Sequence, residues 1–277
     1  MAVLLALCSA TTYGVGDFLG GMAAKRASAA AILLWSHLAG LCLLVGMTVF
    51  VAGEATAHDL VLGALGGLGG ALGVGLLYQA LSIGPMSAIA PVTALLAAAV
   101  PVVVGFAQGE RPAPTAIIGM VGALAAIVLV SAEGGGSMRP SDLRGVMLAL
   151  GAGLGFGLFF VALSYTDDSS GMWPLVAARG ASVAVVGSLA LLGRIRPRIP
   201  GGHPRWLTAG AGGLDVVANV LYLLAIRQGL LSVVSVLASL YPASTVVLAW
   251  IILRERFAPM QRVGLLLAVP AAVLMTI

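Results

Sequence analysis

Four ionisable side chains stand inside long apolar runs of this sequence: Asp17, His37, Arg179 and Asp215. A charge so placed costs about 2.5–3.5 kcal/mol on membrane-insertion scales, so each needs a reason. Two reasons compete: an ion pair that locks neighbouring helices, or a group that meets a ligand or a proton. At a rise of about 1.5 Å per residue, Asp17 and His37 reach one depth, and Arg179 and Asp215 another, closer to the middle. Two pairs are therefore expected, Asp17–His37 and Arg179–Asp215.

Other polar groups gather around these four. Asp215, Asn219 and Tyr222 stand at i, i+4 and i+7, which sets a carboxylate, an amide and a phenol on one helix face. Tyr13 shares a face with Asp17. Ser239, Tyr241, Pro242, Ser244 and Thr245 interrupt a late apolar run, and Pro91, Thr93 and Pro101 do the same in an earlier one. A proline frees a carbonyl one turn back, which inside a membrane often faces a cavity. Such groups recognise a molecule rather than cut it: an anion and a cation partner for a zwitterion, with aromatic faces for its side chain. The expected substrate-binding set is Tyr13, Tyr78, Gln79, Arg179, Asp215, Asn219, Tyr222, Ser239 and Tyr241, with Asp17, His37, Pro91 and Pro242 in coupling or gating. For Tyr13, Tyr78 and Tyr222, buried packing with a satisfied hydroxyl remains the competing reading.

An enzyme would need more. Gly14-Val15-Gly16-Asp17 resembles the G-x-G-D motif of intramembrane aspartyl proteases, with Asp215 as the second carboxylate. The match is short in a glycine-rich chain, and no Tyr-Asp motif surrounds Asp215. Rhomboid-type serine chemistry lacks its G-x-S-G, and a passive channel would want a ring of repeated charges. Cys8 and Cys42 lie in apolar runs as packing residues, so no disulfide, metal site or cofactor is expected.

The elements that must position these residues follow from composition. Of 277 residues, 60% are hydrophobic and only 9% charged, against about a quarter charged in soluble domains. Ten apolar spans are expected, over 3–23, 30–52, 59–81, 87–107, 114–132, 143–165, 171–192, 206–227, 232–253 and 261–277. Breakers mark the gaps: Gly84-Pro85, Pro112 with Pro114, Gly134 to Gly136 with Pro140, and Pro197 to Pro204. Gly63, Gly66, Gly67, Gly69, Gly70 and Gly73 pave the third span, and Gly151, Gly153, Gly155 and Gly157 the sixth, so that helices can approach closely. Trp173 and Trp206 start spans as interfacial anchors. No signal peptide is expected, because the first run has no basic start and is too long.

The net charge of +4 does not call for a nucleic acid. Of 14 Lys and Arg, removing Arg179, Arg111 and Arg227 leaves 11, all near the odd-numbered loops. The positive-inside rule then puts those loops in the cytoplasm and both termini outside.

One stretch comes back. Residues 80–128 align without gaps on 225–273, a shift of 145 (225 minus 80). Gly84 meets Gly229, Ser87 meets Ser232, Glu110-Arg111 meets Glu255-Arg256, Ala113-Pro114 meets Ala258-Pro259, and Gly119 meets Gly264. Tyr78 and Gln79 end the third span where this register places Tyr222, within one residue. The two Glu-Arg pairs sit at span ends, where they read as turn and cap residues. Five spans per half is an odd number, so the second half is inverted relative to the first.

Two such repeats, closing on Gly-Glu-Arg or Arg-Glu-Arg and then Ala-Pro, resemble the EamA family of the drug/metabolite transporter superfamily. The similarity spans essentially the whole chain and is greatest to the YddG-type amino-acid exporters. It implies an all-α integral membrane fold, ten transmembrane helices as two inverted five-helix repeats around a central cavity, with repeats at 1–136 and 137–277. It also implies alternating access with amino acids or other small metabolites as cargo. The expected setting is a bacterial inner membrane, multi-pass, with the lipid bilayer and a small molecule as partners and a monomer as the working unit.

Overall fold

The computed structural model describes residues 1–51, 53–84, 86–131, 140–198, 202–254 and 258–276. The expected linker at Gly134–Gly136, Pro85 and the Glu255-Arg256 pair lie outside them. The described residues form helices and loops, with no strand. Eleven α-helices follow in order: α1 Ala2–Ala24, α2 Ala29–Thr48, α3 Ala57–Ile83, α4 Met86–Ala107, α5 Pro114–Ser131, α6 Pro140–Ser164, α7 Trp173–Leu191, α8 His203–Ile226, α9 Leu231–Ala238, α10 Tyr241–Leu253 and α11 Pro259–Leu274. Eight segments are long and apolar enough to cross a membrane, α9 and α10 counting together as Leu231–Leu253. Pro114–Val130 and Pro259–Leu274 are shorter apolar helices. Leu65, Leu72, Ile118, Val121, Leu266 and Val269 are all exposed. An outer surface this apolar belongs against lipid rather than water.

Local chemistry sets the helix ends. Ser28 caps α2, its hydroxyl accepting from the Ala31 N–H. Thr56 and Asp59 form a capping box at the start of α3. Prolines open α7, α8, α10 and α11, where a missing N–H costs nothing. The span expected over 232–253 is one candidate span, Leu231–Leu253, interrupted where the polar residues and Pro242 were expected to interrupt it. The chain tightens at Ser239 and Leu240, where Leu240 N donates to Leu237 O at 3.1 Å, and Pro242 then starts α10 without an N–H to give.

The helices pack in exchanged pairs. Helix α3 lies on α6 and α7, as α8 lies on α1 and α2. Helix α4 lies on α6, as α9 and α10 lie on α1. Two contacts are self-reciprocal in the 145 register. A Cβ at Gly119 would lie 2.7 Å from Ala271 O, and one at Gly264 would lie 2.8 Å from Ala126 O; these four residues are two repeat-equivalent pairs. Gly67 and Gly212 are also equivalents, and each lets its helix meet a backbone directly, Ala178 of α7 and Ser36 of α2. The glycine stripes expected on the third and sixth spans thus lie at helix–helix contacts.

One end of the bundle is stitched by loops. Arg227 donates to Ser170 Oγ at 2.9 Å and Gly171 O at 2.9 Å, and its Nε lies 3.7 Å from Asp168. Asp59 accepts from Asp167 N at 2.8 Å. The Ser169 hydroxyl and N–H hold the Asp167 carboxyl below the usual carboxylate range. Trp173 donates to Gly53 O at 3.1 Å, tying the expected anchor to a loop. Glu110 accepts from Leu231 N at 2.6 Å and Ser232 N at 3.0 Å. Glu110 of the Glu-Arg motif therefore caps a helix, α9, that follows it by more than a hundred residues.

Candidate functional site

Helices α1, α2, α3, α6, α7, α8 and α10 line a narrow cavity. Gly67 and Gly70 of α3 both lie in the lining, where a side chain at Gly67 would run into the Ala178 backbone and one at Gly70 would meet the Phe159 ring. The opposite walls are chemically divided.

A polar strip runs along α1, α8 and α7. Tyr13 Oη donates to Asn219 Oδ1 at 2.8 Å. Asn219 Nδ2 donates to Asp215 O at 2.6 Å and to Asp215 Oδ2 at 3.1 Å. The same carboxylate is ion-paired with Arg179, as expected from the sequence. Arg179 is buried and Asp215 partly so, which leaves the carboxylate edge facing the cavity.

The other side is aromatic. Phe156, Phe159 and Phe160 of α6 line it, with Phe159 and Phe160 at a centroid distance of 6.0 Å. Tyr13 stands 6.1 Å from Phe160 and 6.4 Å from Tyr241, closing the aromatic group. Sequence reasoning missed these phenylalanines. The signal was their i, i+3, i+4 spacing, which sets all three on one helix face.

Asp17 and His37 both line this cavity, but they do not form the expected pair. His37 Nδ1 hydrogen-bonds Ser182 Oγ at 2.5 Å instead. Its Nε2 has no partner among the described residues. Depth along two helices fixes a level, not a rotation, and α2 turns His37 toward α7. Asp17 has no hydrogen-bond or ion-pair partner among the described residues. The protease arrangement is absent too, since Asp215 is held by Arg179 and Asn219 rather than by Asp17.

Six expected site residues lie away from the cavity lining. Tyr222 is fully buried, hydrogen-bonded to Ser235 at 2.7 Å and stacked on Phe160 at 4.1 Å. It therefore backs the aromatic wall from behind. Tyr78 is buried where the absence of a side chain at Gly20 leaves room for its ring. Ser239 is buried at the α9–α10 break, and Pro91 in α4. Pro242 borders a small void against α5.

Gln79 lies in a second, wider groove between α2, α3 and α7. This groove lies toward the end of the bundle away from the stitched loops. Ala71 borders both spaces, and Ser182 in the groove holds His37 in the cavity.

Comparison with known proteins follows this geometry. A model described as the EamA-like transporter family matches residues 1–132 and 143–277. No curated protein matches the chain. Among the solved structures, 18 chains match. One of them, a crystal structure, is 19% identical, covers 100% of this chain and 98% of its own, and superposes with a TM-score of 0.71. At that identity the likeness shows the fold alone.

Proposed function

From the premise that this chain belongs to the EamA-like transporter family, as a multi-pass membrane protein and not an enzyme by family, we propose that it exports small metabolites, amino acids foremost, by alternating access. In this reading the ten helical segments are ten transmembrane helices, and residues 1–136 and 137–277 are two repeats inverted in the bilayer of a bacterial inner membrane. The exchanged helix pairs and the reciprocal contacts of Gly119 and Gly264 support the arrangement.

The observation that carries the proposal is the divided cavity between the halves. It sets the Tyr13–Asn219–Asp215–Arg179 strip opposite Phe156, Phe159 and Phe160. An amino acid would lay its side chain on the phenylalanines, its ammonium on Asp17 and its carboxylate on Arg179 N–H groups left over from Asp215. Switching then needs helices that slide past one another, and the small residues of α3 and α8 provide such surfaces.

The test is counterflow in proteoliposomes with a panel of labelled amino acids. Saturable exchange is expected, and Asn219→Ala should reduce it by about tenfold, the scale of about one lost buried hydrogen bond. Unchanged exchange in both Asn219→Ala and Arg179→Ala would remove the cavity from the pathway. No exchange of any amino acid would move the cargo to another small metabolite or drug.

A further inference from the structure

One ionisable group that faces the cavity is left unanswered. Asp215 and Arg179 are ion-paired. His37 meets the Ser182 hydroxyl and no carboxylate. Asp17 is left over, a carboxyl in a low-dielectric space with no partner among the described residues. The partner that suits a carboxyl in such surroundings is a cation brought to it. The surfaces that remain around it, Phe156, Phe159, Phe160, Tyr13 and Tyr241, offer ring faces and no further full charge.

We propose that the cavity selects protonated arylalkylamines, an ammonium group on a short chain carrying an aromatic ring, over the amino acids that bear the same ring. The proposal rests on reading the cavity as the transport site and ranks affinities there, with the amino acid still held through Asp17 and Arg179. The ammonium pairs with Asp17, and the ring lies among the phenylalanines in aromatic and apolar contact. An amine needs Asp17 alone as its counter-group. The matching amino acid carries a carboxylate as well, which must share the Arg179 N–H groups with Asp215. An aryl acid without an amine brings no cation to Asp17 and has only that shared Arg179 for its carboxylate.

Binding to purified wild-type protein in detergent, measured by isothermal titration with phenethylamine, phenylalanine and phenylacetate, tests this directly. The expected order is amine, then amino acid, then acid, with at least about a tenfold gap at the first step. Asp17→Asn is expected to bring the amine-to-amino-acid ratio close to one, and the wild-type ratio decides the matter even if that variant folds poorly. Phenylalanine binding as tightly as phenethylamine would overturn the preference while leaving amino-acid export standing. A ratio that survives in folded Asp17→Asn would remove Asp17 as its source. Absence of binding by all three ligands would overturn both the preference and the reading of the cavity as the transport site.

Discussion

At the scale of single residues, the site is a matter of which charges are answered. Arg179 and Asp215 answer each other across α7 and α8, at a depth where either alone would be isolated. Removing one partner of a buried pair costs about 3–5 kcal/mol, whereas replacing both by apolar groups is often neutral. Arg179→Leu should therefore lower thermal stability in detergent well below that of the Arg179→Leu/Asp215→Leu double variant. Equal losses would mean that the pair does not couple the two helices. Sequence named this pair because a charge in an apolar run contrasts with everything around it. It missed Phe156, Phe159 and Phe160 because phenylalanine in such a run gives no contrast. Tyr78 and Tyr222 misled for a related reason: a phenol announces a polar tip, but the partner that satisfies it, here Ser235 for Tyr222, sits 13 residues away.

At the scale of elements, the helix ends carry information that periodicity does not. Helices α4 and α10 both finish in a left-handed residue, Gly109 at φ 89° and Arg254 at φ 56°, and these two positions are equivalent in the 145 register. A side chain in that conformation costs about 1–2 kcal/mol relative to glycine. Arg254→Gly is thus expected to raise the thermal midpoint in detergent, and Gly109→Arg to lower it. A fall on Arg254→Gly would show that the guanidinium holds contacts worth more than the strain. The break between α9 and α10 was half visible: Pro242 and its polar neighbours marked an interruption, yet hydropathy runs unbroken from Leu231 to Leu253. The cap on α9 by Glu110 was not legible, because a carboxylate 121 residues upstream leaves no local trace.

At the scale of the whole molecule, the two halves hold each other through surfaces that exchange roles. Glu110 of the first half caps a helix of the second, and Gly119 and Gly264 pack on Ala271 and Ala126. Residues 1–136 and 137–277 produced as separate chains should therefore associate in the membrane, and an affinity tag on one should retrieve the other. Recovery of the tagged half alone would show that the covalent link, and not the interface, keeps them together. The repeat was readable at this scale because Glu-Arg and Ala-Pro stand out from an Ala/Leu/Val background. The helix pairing was not, since a spacing says nothing of which faces meet.

The reciprocal packing of Gly119 and Gly264 sets a limit on how far the two helices it joins can differ. A contact that maps onto itself when 119–126 and 264–271 are exchanged meets the same kind of backbone twice, so a side chain added at either glycine would push the same α5–α11 seam apart. The polar strip follows no such exchange: Tyr13 comes from α1, and Arg179, Asp215 and Asn219 come from α7 and α8. The packing is symmetric where the chemistry is not.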